Sequence, residues 1–320
     1  MPTVASIKAL TCPHCTAPLH PEGGKSAVCP YCGHLLVDLP ATWWARPVPV
    51  PPWEGRPEDR GKRRVGLGKH RWVLDTKIGK GDHADVWRAH RDARLTREVV
   101  IKIARDADGS AAKAITAEHR ALERLTASGA EGADHFARLL PEPVAVGKLR
   151  GDGPALPAAA YGVPPGFVHD LTKVRARYPK GVDPRVAVWM WKRLLEMLSW
   201  VHASGFVHGD VRPEHSIVHP TAHGVMLVGW TAAAWRHGRD GRSPALDLSA
   251  SARVFAYVLG GDGGRLSRAV PGTLARLAEA TSDPKKAGED GWRIHGELVR
   301  LAYDQFGPAA YVPLSLDPEG

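Results

Sequence analysis

The stretch His208-Gly209-Asp210-Val211-Arg212-Pro213-Glu214-His215, with Gly229-Trp230-Thr231 after thirteen intervening residues, decides how this chain is read. Asp210 supplies a carboxylate suited to a general base. His215 supplies an imidazole, a better ligand for softer metals than for magnesium. Gly229 supplies no side-chain oxygen. Six histidines, His202, His208, His215, His219, His223 and His237, crowd residues 202–237. Such a run permits transition-metal binding, but scattered histidines more often satisfy core or loop hydrogen bonds.

Upstream of this stretch, residues 184–204 read as a long helix opened by Asp183 as N-cap and Pro184 at the first helical position. Val188, Met190, Trp191, Leu194, Leu195, Leu198 and Val201 nearly encircle it, which predicts a buried central helix. Residues 71–78, 84–90, 99–103, 143–149 and 156–161 read as strands. Residues 109–127 read as an alanine-rich helix with Ile115, Leu122 and Leu125 on one face. Pro164-Pro165-Gly166 marks a break between the two regions. Strands first and helices later predict an α+β domain with two lobes.

The 320 residues are 43% hydrophobic and 24% charged, with a net charge of +9. That balance allows a substantial core and permits contact with nucleic acid, acidic proteins or phosphates without selecting among them. No apolar run approaches the roughly 20 residues needed to span a bilayer, and the N-terminus lacks a signal-peptide pattern; a cytoplasmic protein with no membrane partner is expected. All four cysteines lie in the first 32 residues. Cys12, Cys15, Cys29 and Cys32 form two CxxC knuckles 13 residues apart, a spacing that lets four thiolates hold one structural zinc ion in a zinc ribbon. A redox role lacks the surrounding βαβ pattern. Residues 40–68, rich in proline and ending in Lys62-Arg63-Arg64, read as an extended linker, with Trp43, Trp44 and Trp53 available to pin it to a surface. The expected organisation is a ribbon over 1–39, the linker over 40–68, a large domain over 69–313 and a tail over 314–320.

Several motifs occur in a fixed order. Gly79 and Gly81 open a glycine-rich loop that runs to Val86; Val99-Val100-Ile101-Lys102 follows; Glu118 lies sixteen residues beyond Lys102; then come Asp210 and the Gly229 turn. This order resembles that of protein kinases: a glycine-rich loop, the VAIK strand, the αC glutamate, the HxDxxxxN catalytic loop and DFG. The resemblance covers residues 69–306. It implies a bilobal fold with a β-rich first lobe and a helical second lobe, and ATP in the cleft between them. Lys102 would reach the α- and β-phosphates and pair with Glu118, with Leu122 packing beneath. Val86 and Ile217 would sandwich adenine, and the larger Val100 would crowd it. His208 and Trp230 would stack in a hydrophobic spine, and Asp247 would open the helix that holds the catalytic loop. Asp283-Pro284 and residues 292–306 fit the end of the second lobe.

The chain departs from that pattern where magnesium is held. The catalytic-loop Asn is His215 and the Asp of DFG is Gly229, so both protein anchors of the metal are lost while Lys102, Glu118 and Asp210 remain. The Arg of HRD is Gly209, and residues 231–247 are short and lack an APE motif. The resemblance is therefore to a pseudokinase: a regulatory or scaffold module whose partners are proteins and whose nucleotide binding is weak or metal-independent. The alternative is an active serine/threonine or small-molecule kinase with unusual metal ligation and Asp210 as base. A nucleic-acid role for the ribbon and the basic run is the less favoured third reading.

Overall fold

The computed structural model describes residues 10–11, 18–19, 26–28, 35–37, 53–81, 83–107, 109–238, 241–261, 266 and 270–316. The chain divides into two compact units, Met1–Glu54 and Gly55–Gly320. In the first, β1 (Leu10–Thr11) pairs antiparallel with β2 (Pro18–Leu19), and β3 (Ser26–Val28) with β4 (Leu35–Val37). The four cysteines lie outside the described residues, as do Trp43 and Trp44.

The second unit is α+β. It begins with a single 3-10 turn at Pro57–Asp59, then β5 (Arg64–Leu67), β6 (His70–Lys80), β7 (Ala84–Arg91) and β8 (Glu98–Ala104). Helix α1 (Gly109–Thr126) and the short α2 (Ala133–Phe136) precede β9 (Glu142–Lys148) and β10 (Pro157–Gly162). Strands β5 to β10 make one antiparallel sheet in the order β5-β6-β7-β8-β10-β9. The sheet curls until its far edges meet. Gly66 N donates to Arg150 O at 2.7 Å and Arg150 N to Gly66 O at 2.9 Å. Alternation along the strands packs Val65, Leu67, Val99, Ile101, Ile103, Ala158 and Ala160 into one interior. The same alternation turns Lys102 to the opposite face, toward α1.

Two expected boundaries are corrected here. The linker was expected to run to residue 68, but the chain belongs to the larger unit from Gly55, and residues 64–67 form an edge strand. Val65 and Leu67 are buried in the sheet interior, and backbone pairing with β6 secures the strand. The tail was expected from residue 314, yet Leu314 is buried and the Tyr178 hydroxyl donates to Ser315 O at 2.7 Å.

The helical half follows. It comprises β11 (His169–Asp170), α3 (Leu171–Arg177), α4 (Pro184–Ala203), β12 (Phe206–Val207), β13 (Ser216–His219), β14 (Gly224–Leu227), β15 (Ala234–Trp235), α5 (Pro244–Val258), α6 (Gly272–Ser282), α7 (Pro284–Ala287) and α8 (Gly291–Phe306). Asp183 caps α4 by accepting from Arg185 N at 2.8 Å. Its apolar circumference packs against α5, α8 and β14. Trp191 stacks on Phe255 with ring centroids 4.4 Å apart, and its Nε1 donates to Ser251 Oγ at 3.0 Å. Among the described residues no helix is long and apolar enough to cross a membrane.

Candidate functional site

Strand β8 and helix α1 set the first pair. Ile115, His119, Leu122 and Leu125 bury one face of α1 and carry Glu118 inward with them. Lys102 Nζ lies 2.6 and 2.8 Å from the two Glu118 carboxylate oxygens, and the Glu118 side chain is 4% exposed. Glu118 also accepts from Trp230 N at 3.2 Å. One buried carboxylate thus ties the sheet, α1 and the Gly229 turn together. The Leu122 side chain is fully buried one helical turn on.

The Asp210 loop is held from beneath. Asp247, in the first turn of α5, accepts from His208 N at 2.7 Å and Gly209 N at 2.8 Å, and pairs with His202 Nε2 at 3.0 Å. Burial pushes the Asp247 carboxyl up, but these donors outweigh it and hold it below the ordinary carboxylate value. His208 is completely buried. Its Nε2 donates to Val228 O at 3.1 Å and its Nδ1 accepts from Asp210 N at 3.2 Å, so one neutral tautomer is fixed. Burial holds its pKa below the usual histidine value. The Trp230 ring meets His208 edge-on at 4.5 Å.

The two positions expected to anchor a metal touch each other. Gly229 has φ +79°, and a Cβ built on it would lie 2.6 Å from the His215 imidazole. The ring thus fills the space into which any side chain at 229 would begin. His215 Nδ1 donates to Asp210 O at 2.9 Å and lies 3.2 Å from the Asp210 carboxylate. Arg212 lies 3.5 Å from that carboxylate through Nε and 3.3 Å from His215 Nε2 through a terminal nitrogen. Asp210 is 39% exposed, flanked by an imidazole and a guanidinium instead of oxygen ligands.

The glycine-rich loop is the β6–β7 hairpin. Gly79 stands opposite Val86 and Gly81 N donates to Ala84 O at 2.8 Å. Neither glycine has positive φ. A Cβ at Gly79 would come no closer than 3.7 Å to another atom, and at Gly81 no closer than 3.5 Å. Val86 and Ile217 are both half-buried, on β7 and β13.

Three features escaped the sequence reading. Tyr161 on β10 stands opposite Val100, its ring 5.8 Å from Lys102 Nζ. Its buried hydroxyl makes no hydrogen bond to protein, and burial together with the Glu118 charge pushes the phenol far up. The only sequence signal was an aromatic residue ending an otherwise alanine-rich strand. Arg212 was legible only as the cation two residues after Asp210. The third is a half-buried quartet around His90. His90 lies 2.8 Å from Asp75 through Nδ1 and 2.9 Å from Asp59 through Nε2, and Lys62 lies 3.1 and 2.8 Å from the same two aspartates.

Asp59, Asp75 and His90 offer ligand atoms within 4.8 Å of one another, the one such grouping among the described residues. Lys62 already supplies a cation to both carboxylates, and both His90 nitrogens are engaged, so the quartet is a charge-balanced ion cluster. The histidines of residues 202–237 do not converge. His202 serves Asp247, His219 meets Phe167 edge-on, and His223 is sandwiched between Trp189 and Tyr311 at 4.4 and 4.3 Å. In comparisons with known proteins, no family model and no curated sequence matches this chain.

Proposed function

We propose that this chain is a protein kinase-like pseudokinase, a regulatory or scaffold module with a bilobal fold and an N-terminal zinc ribbon held by Cys12, Cys15, Cys29 and Cys32. The observation that carries the reading is the His215–Gly229 contact beside an intact Lys102–Glu118 pair. Phosphoryl transfer rests on positioning and on magnesium neutralising the phosphates. Magnesium demands oxygen ligands in an octahedron, and here an imidazole occupies the space of the missing carboxylate. The glycines support nucleotide binding from another direction. Neither Gly79 nor Gly81 is demanded by backbone conformation or by a neighbouring atom. Small residues there fit an approach by phosphate from outside the fold. Lys102 and Arg212 are the cations available to it, which fits weak or metal-independent ATP binding.

Nucleic acid stays the less favoured partner, because two cations of the basic run are paired within the fold, Lys62 with Asp59 and Asp75 and Arg64 at 3.5 Å from Asp92. Protein partners are the better reading. The alternative, an active kinase, draws on the accessible Asp210 carboxylate alone. A radiolabelled transfer assay separates the two. The pseudokinase shows no phosphate transfer from ATP to itself or to generic acceptors; transfer that vanishes in Asp210→Asn would establish the enzyme.

A further inference from the structure

The helices at the end of the chain line an open cavity that the kinase-like cleft does not use. Its volume is about 320 Å³, and it is lined by Thr273, Arg276, Leu277 and Thr281 of α6, Lys286 of α7, and Arg293, Glu297 and Leu301 of α8, with Ala280 beside them. That volume lies at the small end of ligand sites. Leu277, Ala280 and Leu301 make its lining partly apolar, and Arg276, Lys286 and Arg293 make it cationic.

We infer that this cavity is a binding site for a phosphate monoester. Charge is the first support: three cations against one carboxylate leave the site at +2, matching a phosphate monoester dianion. Availability is the second. Arg276 and Lys286 make no ion pair among the described residues, and Arg293 is only 3.8 Å from Glu297 while its other terminal nitrogen donates to Ala287 O at 2.7 Å. The third is a hydroxyl at the wall. Thr281 is 3% exposed and lines the cavity, and its side chain makes no hydrogen bond among the described residues. A hydroxyl placed there can donate to a phosphate oxygen held by the arginine forks. Leu277 and Leu301 leave apolar room for the short carbon chain of the ester.

The ester has two sources, a free metabolite or a phosphoserine on a partner protein. The test is calorimetric titration of the full chain with O-phosphoserine and with a short phosphoserine peptide. Wild type is expected to bind. Arg276→Glu with Lys286→Glu, both exposed and so harmless to packing, is expected to weaken binding about ten-fold or more. Thr281→Val is expected to weaken it several-fold with the fold kept. Lys102→Met with Glu118→Gln, in the cleft and the milder change to the fold, is expected to leave it unchanged, which separates this site from the nucleotide reading. Tighter binding of the peptide assigns a protein source, and equal binding a free ester. No binding at roughly 10 mM of either probe, or binding that survives the double charge reversal, would overturn the inference.

Discussion

At the scale of single residues, His215 and Gly229 behave as one substitution made in two places. On the proposed kinase-like reading, each taken separately is a lost magnesium ligand. In the fold, the larger side chain at 215 occupies the space vacated at 229. Gly229→Asp alone is therefore expected to destabilise by about 2 kcal/mol or more, from left-handed backbone and overlap with the imidazole, read by urea unfolding. Adding His215→Asn should recover most of that loss and introduce magnesium-dependent ATP binding. A double variant no more stable than the single one would mean that the contact is not the constraint. Lys102→Met leaves Glu118 buried without its cation. It is expected to cost about 3–5 kcal/mol and to abolish nucleotide binding, whereas Lys102→Met with Glu118→Gln should be milder.

At the scale of elements, Asp247 joins α5 to the Asp210 loop. Asp247→Ala would orphan two buried backbone N–H groups and His202, for an expected loss of about 3–5 kcal/mol by denaturant titration; a change under about 1 kcal/mol would show that the loop is held elsewhere. The elements differ in how legible they were. Helix α4 could be read almost to the residue, because its cap, its Pro184 and its apolar circumference are all local signals. Strands β6, β7 and β8 were found within two residues at their ends. Strand β5 was missed because four residues containing a glycine, beside a proline-rich stretch, carry no periodicity of their own. Only β6 and the Gly66–Arg150 bridge make it a strand. The site residues were legible as an ordered set. Their contacts were not, since the His215 ring against Gly229 depends on two turns fourteen residues apart meeting in space. The His90–Asp59 link, 31 residues long, was invisible for the same reason.

At the scale of the whole molecule, the half-buried quartet at the start of the large unit is expected to make its stability depend on pH. Burial pushes Asp59 and Asp75 up, but hydrogen bonds and charge from His90 and Lys62 outweigh it, leaving both below the ordinary 3.8. Their contribution is complete above about 3.8 and is lost as pH falls through the lowered values. Burial pushes His90 down, but Asp75 and Asp59 outweigh it and raise it above 6.5. Its contribution is complete below about 6.5 and is lost as pH rises through the raised value. Melting temperature followed from about pH 2 to 9 should therefore fall on both sides, and His90→Gln should remove the alkaline limb and shrink the acid one, because His90 is among the donors that lower both aspartates. An alkaline limb unchanged in the variant would place its origin elsewhere.

The central claim is that the cleft of this molecule lacks its metal and keeps its nucleotide contacts. The most direct test is the thermal stability of the full chain with ATP, with and without added magnesium. Saturating ATP at 100 times its dissociation constant should stabilise the fold by about 2.7 kcal/mol. The account predicts a shift that is the same with and without magnesium. A shift that appears only with magnesium would contradict it, because the His215–Gly229 contact would then not exclude the metal.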